Sequence, residues 1–219
     1  MRCLLFLNIC ILLLLLFPSC RSSLTKGYQK EGEQIIRKEQ LPPMVDASGE
    51  LGKYNMTIDF RKKHFSGLLL VKQTAEDTWR TVFSTHFGLS IFDFELTPDT
   101  FIINHCIEPL KKKQLLELLR KDFSILFGLN LKKDNPATLY TPKALGTDLV
   151  FLVKNPSVKH FYKTNSELSQ VKQIQTGKGL LKTTFERLAT QPPSPTEKLH
   201  IHHSGINLTI KLEKSSLTP

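Results

Sequence analysis

The strongest constraint on this chain is the alternation of apolar and polar residues between Tyr54 and Cys106. In one run Phe92, Phe94 and Leu96 alternate with Ile91, Asp93 and Glu95. Such alternation predicts an antiparallel meander with one apolar face and one solvated face. Four strands are expected, at residues 54–73, 78–85, 89–96 and 101–106, because turn-forming residues separate these runs.

A helix is predicted after the meander, at residues 110–127. Pro109 suits its first turn and Gly128 its C-terminal cap. One stripe at helical spacing holds its apolar residues, Leu115, Leu116, Leu119, Phe123, Leu126 and Phe127. The helix either packs on the open face of the sheet or forms a lid over a cavity.

The second half of the chain is interpreted as irregular at residues 129–146 and as β-rich beyond that. Strands are predicted at residues 149–153, 159–165, 169–175, 180–188, 198–202 and 207–213. The glycines of Gly177-Lys178-Gly179 mark a turn. They do not form a phosphate-binding Walker A loop, because the spacing of that motif is absent.

The N-terminus is similar to a bacterial lipoprotein signal. Met1-Arg2 precedes an apolar run at residues 3–17 that is shorter than the 20 or so residues of a membrane-spanning helix, and Ser19 precedes Cys20. Residues 1–19 are therefore expected to be a lipoprotein signal peptide, with Cys20 lipidated. The alternative is an ordinary secretory signal in which Cys20 has no special role.

Residues 20–53 are predicted to be the lipidated N-terminus and a flexible tether, because they are polar and contain Pro42-Pro43. Beyond Cys20, only Cys106 remains after signal removal, and a buried thiol is expected there. The chain has a net charge of +10, and loss of Arg2 leaves +9. This charge favours contact with an anionic membrane or simply a solvated surface, and no nucleic-acid-binding motif accompanies it.

Catalytic and metal-binding patterns are not evident. His200 and His202 share one face of a strand near His203, as metal ligands require, but no third ligand is apparent and Gly205 marks a hairpin end. No catalytic triad, paired buried carboxylates or cofactor motif stands out. We therefore expect no enzyme activity, no cofactor and no metal.

The order of these features resembles that of LolA and LolB, the bacterial lipoprotein-localisation proteins. Phe65-Ser66-Gly67 enters the meander, a Phe-Gly loop follows at Phe87-Gly88, and an apolar helix and a Gly-Lys turn at Gly177-Lys178 come later. The chain is more similar to LolB, because it carries its own predicted anchor. It lacks room for an extra strand that LolB-like chains have between the glycine and the Phe-Gly loop.

The resemblance implies an α+β fold at residues 54–217, an unclosed antiparallel β-barrel covered on its concave side by helices. It implies a monomer, anchored by lipid in the outer membrane and facing the periplasm. The partners it implies are acylated lipoprotein or other lipid cargo and a LolA-like periplasmic carrier, with no nucleic acid. The cargo would be received and delivered without covalent catalysis. The alternative is a scaffolding lipoprotein that uses the same fold to bind a protein partner.

Two sets of site residues are predicted. The candidates for lining a hydrophobic cavity are Phe83, Phe92, Phe94, Leu96, Ile103, Leu119 and Phe123, and the alternative is that they form a close-packed core. By resemblance to LolB, the loop at Phe87, Gly88 and Leu89 inserts into the target membrane during release. The alternative is that Phe87 belongs to the core.

Overall fold

The computed structural model describes residues 25–45, 51–154, 158–178, 181–188 and 197–215. Within these ranges the chain forms thirteen strands, all in one antiparallel sheet, and one α-helix. The elements are β1 (Tyr28–Arg37), β2 (Gly52–Phe60), β3 (Lys63–Ala75), β4 (Thr78–Ser84), β5 (Ser90–Leu96), β6 (Phe101–Cys106), α1 (Lys113–Leu126), β7 (Asp134–Pro142), β8 (Leu149–Lys154), β9 (Lys159–Thr164), β10 (Val171–Lys178), β11 (Leu181–Leu188), β12 (Lys198–Ser204) and β13 (Leu208–Lys214). Short 3-10 helices lie at Lys38–Gln40 and Glu108–Leu110.

The strand order is β1-β7-β8-β9-β10-β11-β12-β13-β2-β3-β4-β5-β6. Most neighbours in the sheet are also neighbours in sequence. The exceptions are β1 with β7 and β13 with β2, which join distant parts of the chain. These two pairings join the strand β1 and two meanders, β7–β13 and β2–β6, into one sheet with β1 and β6 as its edges.

The inner face of the sheet holds the core, as the alternation predicts. Tyr54, Met56 and Ile58 of β2 are at most 1% exposed, while the residues between them are partly or fully exposed. On β12, Leu199 and Ile201 point inward in the same way. Period-two burial of this kind leaves one face of the sheet for the core and one for solvent.

The helix α1 packs on this inner face against aromatic residues of β4 and β5. The ring of Phe123 meets that of Phe92 edge-on, with centroids 5.7 Å apart. Just beyond the helix, Phe127 stacks on Trp79 at 4.7 Å. The sequence predicted the helix at residues 110–127, and it forms at Lys113–Leu126, followed by Gly128 with φ of +69°.

The predicted α+β class, with helices covering the concave side of an unclosed barrel, is wrong. The fold is nearly all antiparallel β, and the part of the chain that the structure describes contains a single α-helix, of 14 residues. Residues 129–146, predicted to be irregular, include β7. Its prolines hid this strand, but Pro136 and Pro142 lie outside the segment that pairs with β8, where an N–H donor is not required.

The structure also differs from the predicted tether. Residues 28–37 form the edge strand β1, and Met44 and Val45 are buried. An edge strand exposed along most of its length needs few apolar residues, so β1 shows no alternation. The single strand predicted at residues 54–73 is two strands joined by a turn. Arg61 adopts a φ of +55° there without a glycine to signal the turn.

We predict that Gly67→Ala destabilises the protein. A Cβ at Gly67 would lie 2.0 Å from the carbonyl oxygen of Ser84, so β3 and β4 would have to separate. We expect a loss of about 1–3 kcal/mol or more in the free energy of unfolding, measured by urea denaturation.

Gly32→Ala is the matched control, because nothing lies within 4 Å of a Cβ at that strand position. Equal stability of the two variants would contradict the proposed close approach of β3 and β4.

Candidate functional site

Most of the residues predicted to line a cavity lie in a packed part of the core. Six are at most 1% exposed: Phe83, Phe92, Phe94, Leu96, Leu119 and Phe123. The phenylalanine rings among them are in contact, with centroids 5.4 Å apart for Phe83 and Phe92 and 4.3 Å apart for Phe92 and Phe94. Ile103 is 40% exposed on the edge strand β6. This half of the inner face is filled with side chains.

A cleft of about 490 Å³ lies beside the filled half, between α1 and the strands β9–β12. Its apolar walls are Leu118, Ile125, Leu129, Val158 and Ile206. The sheet contributes small or polar residues to it, His160, Thr176, Gly177, Thr183, His203 and Ser204. Because most of these are smaller than the phenylalanines of β4 and β5, the space under the helix is not filled on this side.

The helix α1 has two buried faces, and each has its own role. Leu119 and Phe123 face the aromatic residues of β5. Leu118, Asp122 and Ile125, spaced four and three residues apart, line the cleft instead. One helix therefore closes the filled half of the core and forms a wall of the cleft.

A buried ion pair joins this second face of α1 to the sheet. The Nε2 atom of His203 lies 3.1 Å from the carboxylate of Asp122, and its Nδ1 atom lies 3.3 Å from the carbonyl oxygen of Leu208. Both side chains are at most 3% exposed. Because Nδ1 must donate to the carbonyl, Nε2 and the carboxylate share the second proton, and this contact holds α1 on β12.

The surroundings shift the pKa values of both partners. Burial raises the pKa of Asp122, against the stabilising effect of His203 on its charged form. For His203, burial acts to lower the pKa, but the hydrogen bond and charge of Asp122 and the Leu208 carbonyl raise it above its ordinary value. Breaking such a buried pair by removing one partner typically costs about 3–5 kcal/mol.

Further polar groups lie deep in the wall of the cleft. His160 is 7% exposed, and burial lowers its pKa to about 4, so its ring is neutral near pH 7. Asn130 donates to the hydroxyl of Tyr162 at 2.6 Å. Among the described residues, neither Nδ1 of His160 nor Oδ1 of Asn130 has a hydrogen-bond partner. The wall therefore retains unused hydrogen-bonding groups beside its apolar surface.

His203 and Ser204 make their hydrogen bonds within the fold. Both ring nitrogens of His203 are engaged, and the hydroxyl of Ser204 is bonded to the backbone of Lys182. No pairing of a nucleophile with a free base occurs among the cleft residues that the structure describes. Arg120, Lys121 and Lys182 surround the apolar interior with positive charge, and Glu117 is the acid closest to Arg120 at 4.0 Å.

The predicted insertion loop projects from the fold. The Phe87 side chain is 96% exposed and that of Leu89 is 71% exposed. Gly88 adopts a φ of +84°, and its N–H donates to the carbonyl of Thr85, which closes a tight turn. The strand registers place this loop at the same end of the sheet as Gly177 and Lys182, at one mouth of the cleft.

The histidine cluster separates in space. His203 points into the core, while His202 lies on the opposite face of β12 and is exposed. Within the described ranges, no three His, Cys, Asp or Glu side chains are grouped so that they could hold a metal ion. Strand alternation was the signal for a buried His203, since it follows Leu199 and Ile201 at period two.

Of the two cysteines beyond the predicted signal peptide, Cys20 and Cys106, the structure describes only Cys106. Cys20 and the signal peptide at residues 1–19 lie outside the described residues. Cys106 is buried and free, and burial raises the pKa of its thiol. Such a thiol behaves as a small apolar side chain.

Comparison with known proteins adds no family assignment. No protein-family model matches the chain, and no curated protein matches it significantly. Among the described residues, α1 is the one α-helix, and it is too short and too polar to cross a membrane.

We predict that His160 makes the protein sensitive to acid. Its folded-state pKa of about 4 lies below the ordinary 6.5, so the unfolded chain binds the proton more readily. The stability that neutral His160 contributes is complete above pH 6.5 and is lost as the pH falls toward 4. Over that window, we expect His160→Gln to lose less unfolding free energy than the native chain, by on the order of 2–3 kcal/mol.

Urea denaturation at several pH values between 7 and 4 measures this difference. His202→Gln, on the exposed side of β12, is the control and should follow the native chain. A His160→Gln profile parallel to the native one would show that His160 does not control acid sensitivity.

Proposed function

We propose that this protein binds the acyl chains of a lipoprotein or another lipid in the cleft beneath α1 and delivers them to the outer membrane without covalent catalysis. In this proposal Cys20 carries the lipid that anchors the protein on the periplasmic face, and a LolA-like carrier supplies the cargo. The observation that carries the proposal is the cleft itself.

Two properties of the cleft support acyl-chain binding. Its volume of about 490 Å³ is within the range of roughly 300–1,000 Å³ that is typical of ligand sites. Leu118 and Ile125 of α1 and Leu129 just beyond it give the cleft an apolar surface on its helix side. Each methylene removed from water contributes about 0.8 kcal/mol, so a long chain gains enough from such a wall to bind without any charged contact.

The Phe87 loop supports the delivery step. It presents two exposed apolar side chains, Phe87 and Leu89, at the end of the sheet where the cleft has a mouth. Burying a Phe side chain contributes about 1.5–3 kcal/mol, which suits a transient contact with a bilayer. A loop of this kind would bring the cleft mouth to the membrane surface at release.

A substitution that fills the cleft tests the binding site. Thr183 of β11 lines the cleft, and its neighbour Thr184 lies on the opposite face of the same strand. We expect Thr183→Trp to weaken binding of a fluorescent fatty-acyl probe about tenfold or more, because the indole ring fills space that the probe would occupy. A tenfold change corresponds to a loss of ~1.4 kcal/mol in binding free energy.

Thr184→Trp is the matched control and should bind the probe like the native chain. Native mass spectrometry of both variants and of the native protein, purified from its own host, reports acylated molecules that copurify. Equal probe binding by the two tryptophan variants, with both folded, would rule out the cleft as the site.

A charge on the Phe87 loop tests delivery. We expect Phe87→Glu to change the free energy of unfolding by less than about 0.5 kcal/mol, because the side chain is already in solvent. Transfer of bound acyl probe to liposomes should fall strongly, while binding of the probe should stay unchanged.

Ile35→Glu is the control for this variant, because Ile35 is 65% exposed on the edge strand β1 and lines neither the cleft nor the Phe87 loop. Unfolding of the Phe87→Glu variant, or transfer at the native rate, would overturn the role of the loop.

A scaffolding function is the second candidate, and the edge strand β6 favours it. Residues Phe101–Cys106 include no Lys, Arg, Asp or Glu, and Ile102 and Ile103 are 49% and 40% exposed. An uncharged edge strand can pair with a strand of another protein. Copurification of a protein, rather than acylated molecules, in the mass spectrum would favour this function.

A further inference from the structure

A second groove lies on the outer face of the sheet, the face opposite to the cleft. Its volume is about 960 Å³, and it is bounded by the start of β1 and by β7, β8 and β9. Leu152 and Phe161 lie in it, and they alternate with the core residues Phe151 and Tyr162. The groove therefore has an apolar floor on the side of the sheet that faces away from α1.

Lysines border this groove. Lys26, Lys30 and Lys143 all line it, and all three are exposed. Lys30 is 4.0 Å from Glu33, but within the described residues no ion pair joins Lys26 or Lys143 to an acidic side chain. The two unpaired lysines leave a positive charge beside the apolar floor.

An apolar side chain projects from the same region. Leu145, two residues beyond Lys143 on the β7–β8 connection, is fully exposed. A fully solvated leucine next to unpaired lysines is the combination that interfacial membrane contacts use, with the apolar group among the acyl chains and the lysines at the headgroups.

The location of the groove identifies its occupant. The described chain starts at Thr25, which lines the groove and is five residues beyond Cys20. If Cys20 carries a lipid, as proposed above, the bilayer that holds this lipid is within reach of the groove. The charge complementary to its lysines is that of an anionic phospholipid headgroup.

We propose that the surface formed by Lys26, Lys30, Lys143 and Leu145 is a second membrane-binding site, which docks on anionic phospholipids next to the anchor. The strand registers place the β7–β8 connection and the Phe87 loop at opposite ends of the sheet. The anionic-lipid site and the Phe87 loop therefore contact a bilayer separately. When the anionic-lipid site is docked, the mouth of the cleft beside the Phe87 loop faces away from the anchoring membrane.

Vesicle binding tests this site. Residues 20–219 contain every residue that the structure describes, and without the proposed signal peptide at residues 1–19 this chain is not lipidated; Cys20→Ser also removes the free thiol. The chain is mixed with vesicles of phosphatidylcholine alone or of phosphatidylcholine with phosphatidylglycerol, and the bound fraction is measured by flotation. We expect binding only to the vesicles with phosphatidylglycerol, and a weakening of about fivefold for each lysine changed in the double variant Lys26→Gln, Lys143→Gln.

The double variant Lys62→Gln, Lys112→Gln is the matched control, because it removes the same charge from exposed positions outside the groove. It should bind like the native chain. Leu145→Ala should weaken binding about tenfold without loss of stability. Equal weakening by the two lysine pairs, or equal binding to both kinds of vesicle, would overturn the proposal.

The same variants separate this site from the proposed cleft and loop. Phe87→Glu should still bind the anionic vesicles, and the variant with Lys26→Gln and Lys143→Gln should still bind the acyl probe. Loss of anionic-vesicle binding in Phe87→Glu would assign the membrane contact to the loop and overturn the second site. Failure of probe binding in the native chain would overturn the cleft while leaving the vesicle result intact.

Discussion

The contact between α1 and the inner face of β4 and β5 is the constraint on which the rest of the structure depends. Among the described residues, one helix of 14 residues covers a sheet of thirteen strands, and this helix cannot bury the whole inner face. The rings of Phe92, Phe94 and Phe123 fill one half, where each aromatic contact adds about 0.5–1.5 kcal/mol to the burial of its area. The other half carries threonines and histidines, and the cleft remains there.

The Asp122–His203 pair determines how α1 lies over the cleft. A buried ion pair seldom adds net stability, because desolvation offsets much of the attraction. Its value here is geometric, since the contact ties one face of the helix to β12 while Leu119 and Phe123 tie another to β5. The Asp122–His203 pair and His160 have opposite effects on how stability depends on pH. Folding raises the pKa values of the pair, so the pair holds protons more tightly in the folded chain, whereas folding lowers the pKa of His160.

The two ends of the sheet differ in chemistry. One end carries a mouth of the cleft and the exposed Phe87, and the other carries Leu145 and the lysines next to the start of β1. An antiparallel sheet separates its connections in this way, because successive turns alternate between the two ends. In the functions proposed here, cargo exchange and docking beside the anchor take place at different ends of the molecule.

The sequence by itself determined the local elements whose partners are close in the chain. Alternation located β4, β5 and β6, and the spacing of Leu115, Leu119 and Phe123 located α1, because both patterns follow from burying one face of a strand or helix. The Phe87 loop was also visible as an apolar turn around a glycine, although the sequence left open whether Phe87 is exposed or belongs to the core. Only the tertiary structure decided that β1 joins β7 across about a hundred residues, because a largely exposed edge strand leaves no apolar pattern. It also decided where space remains. The apolar residues predicted to line a cavity could equally well fill it, and the contacts between the phenylalanine rings show that they fill it.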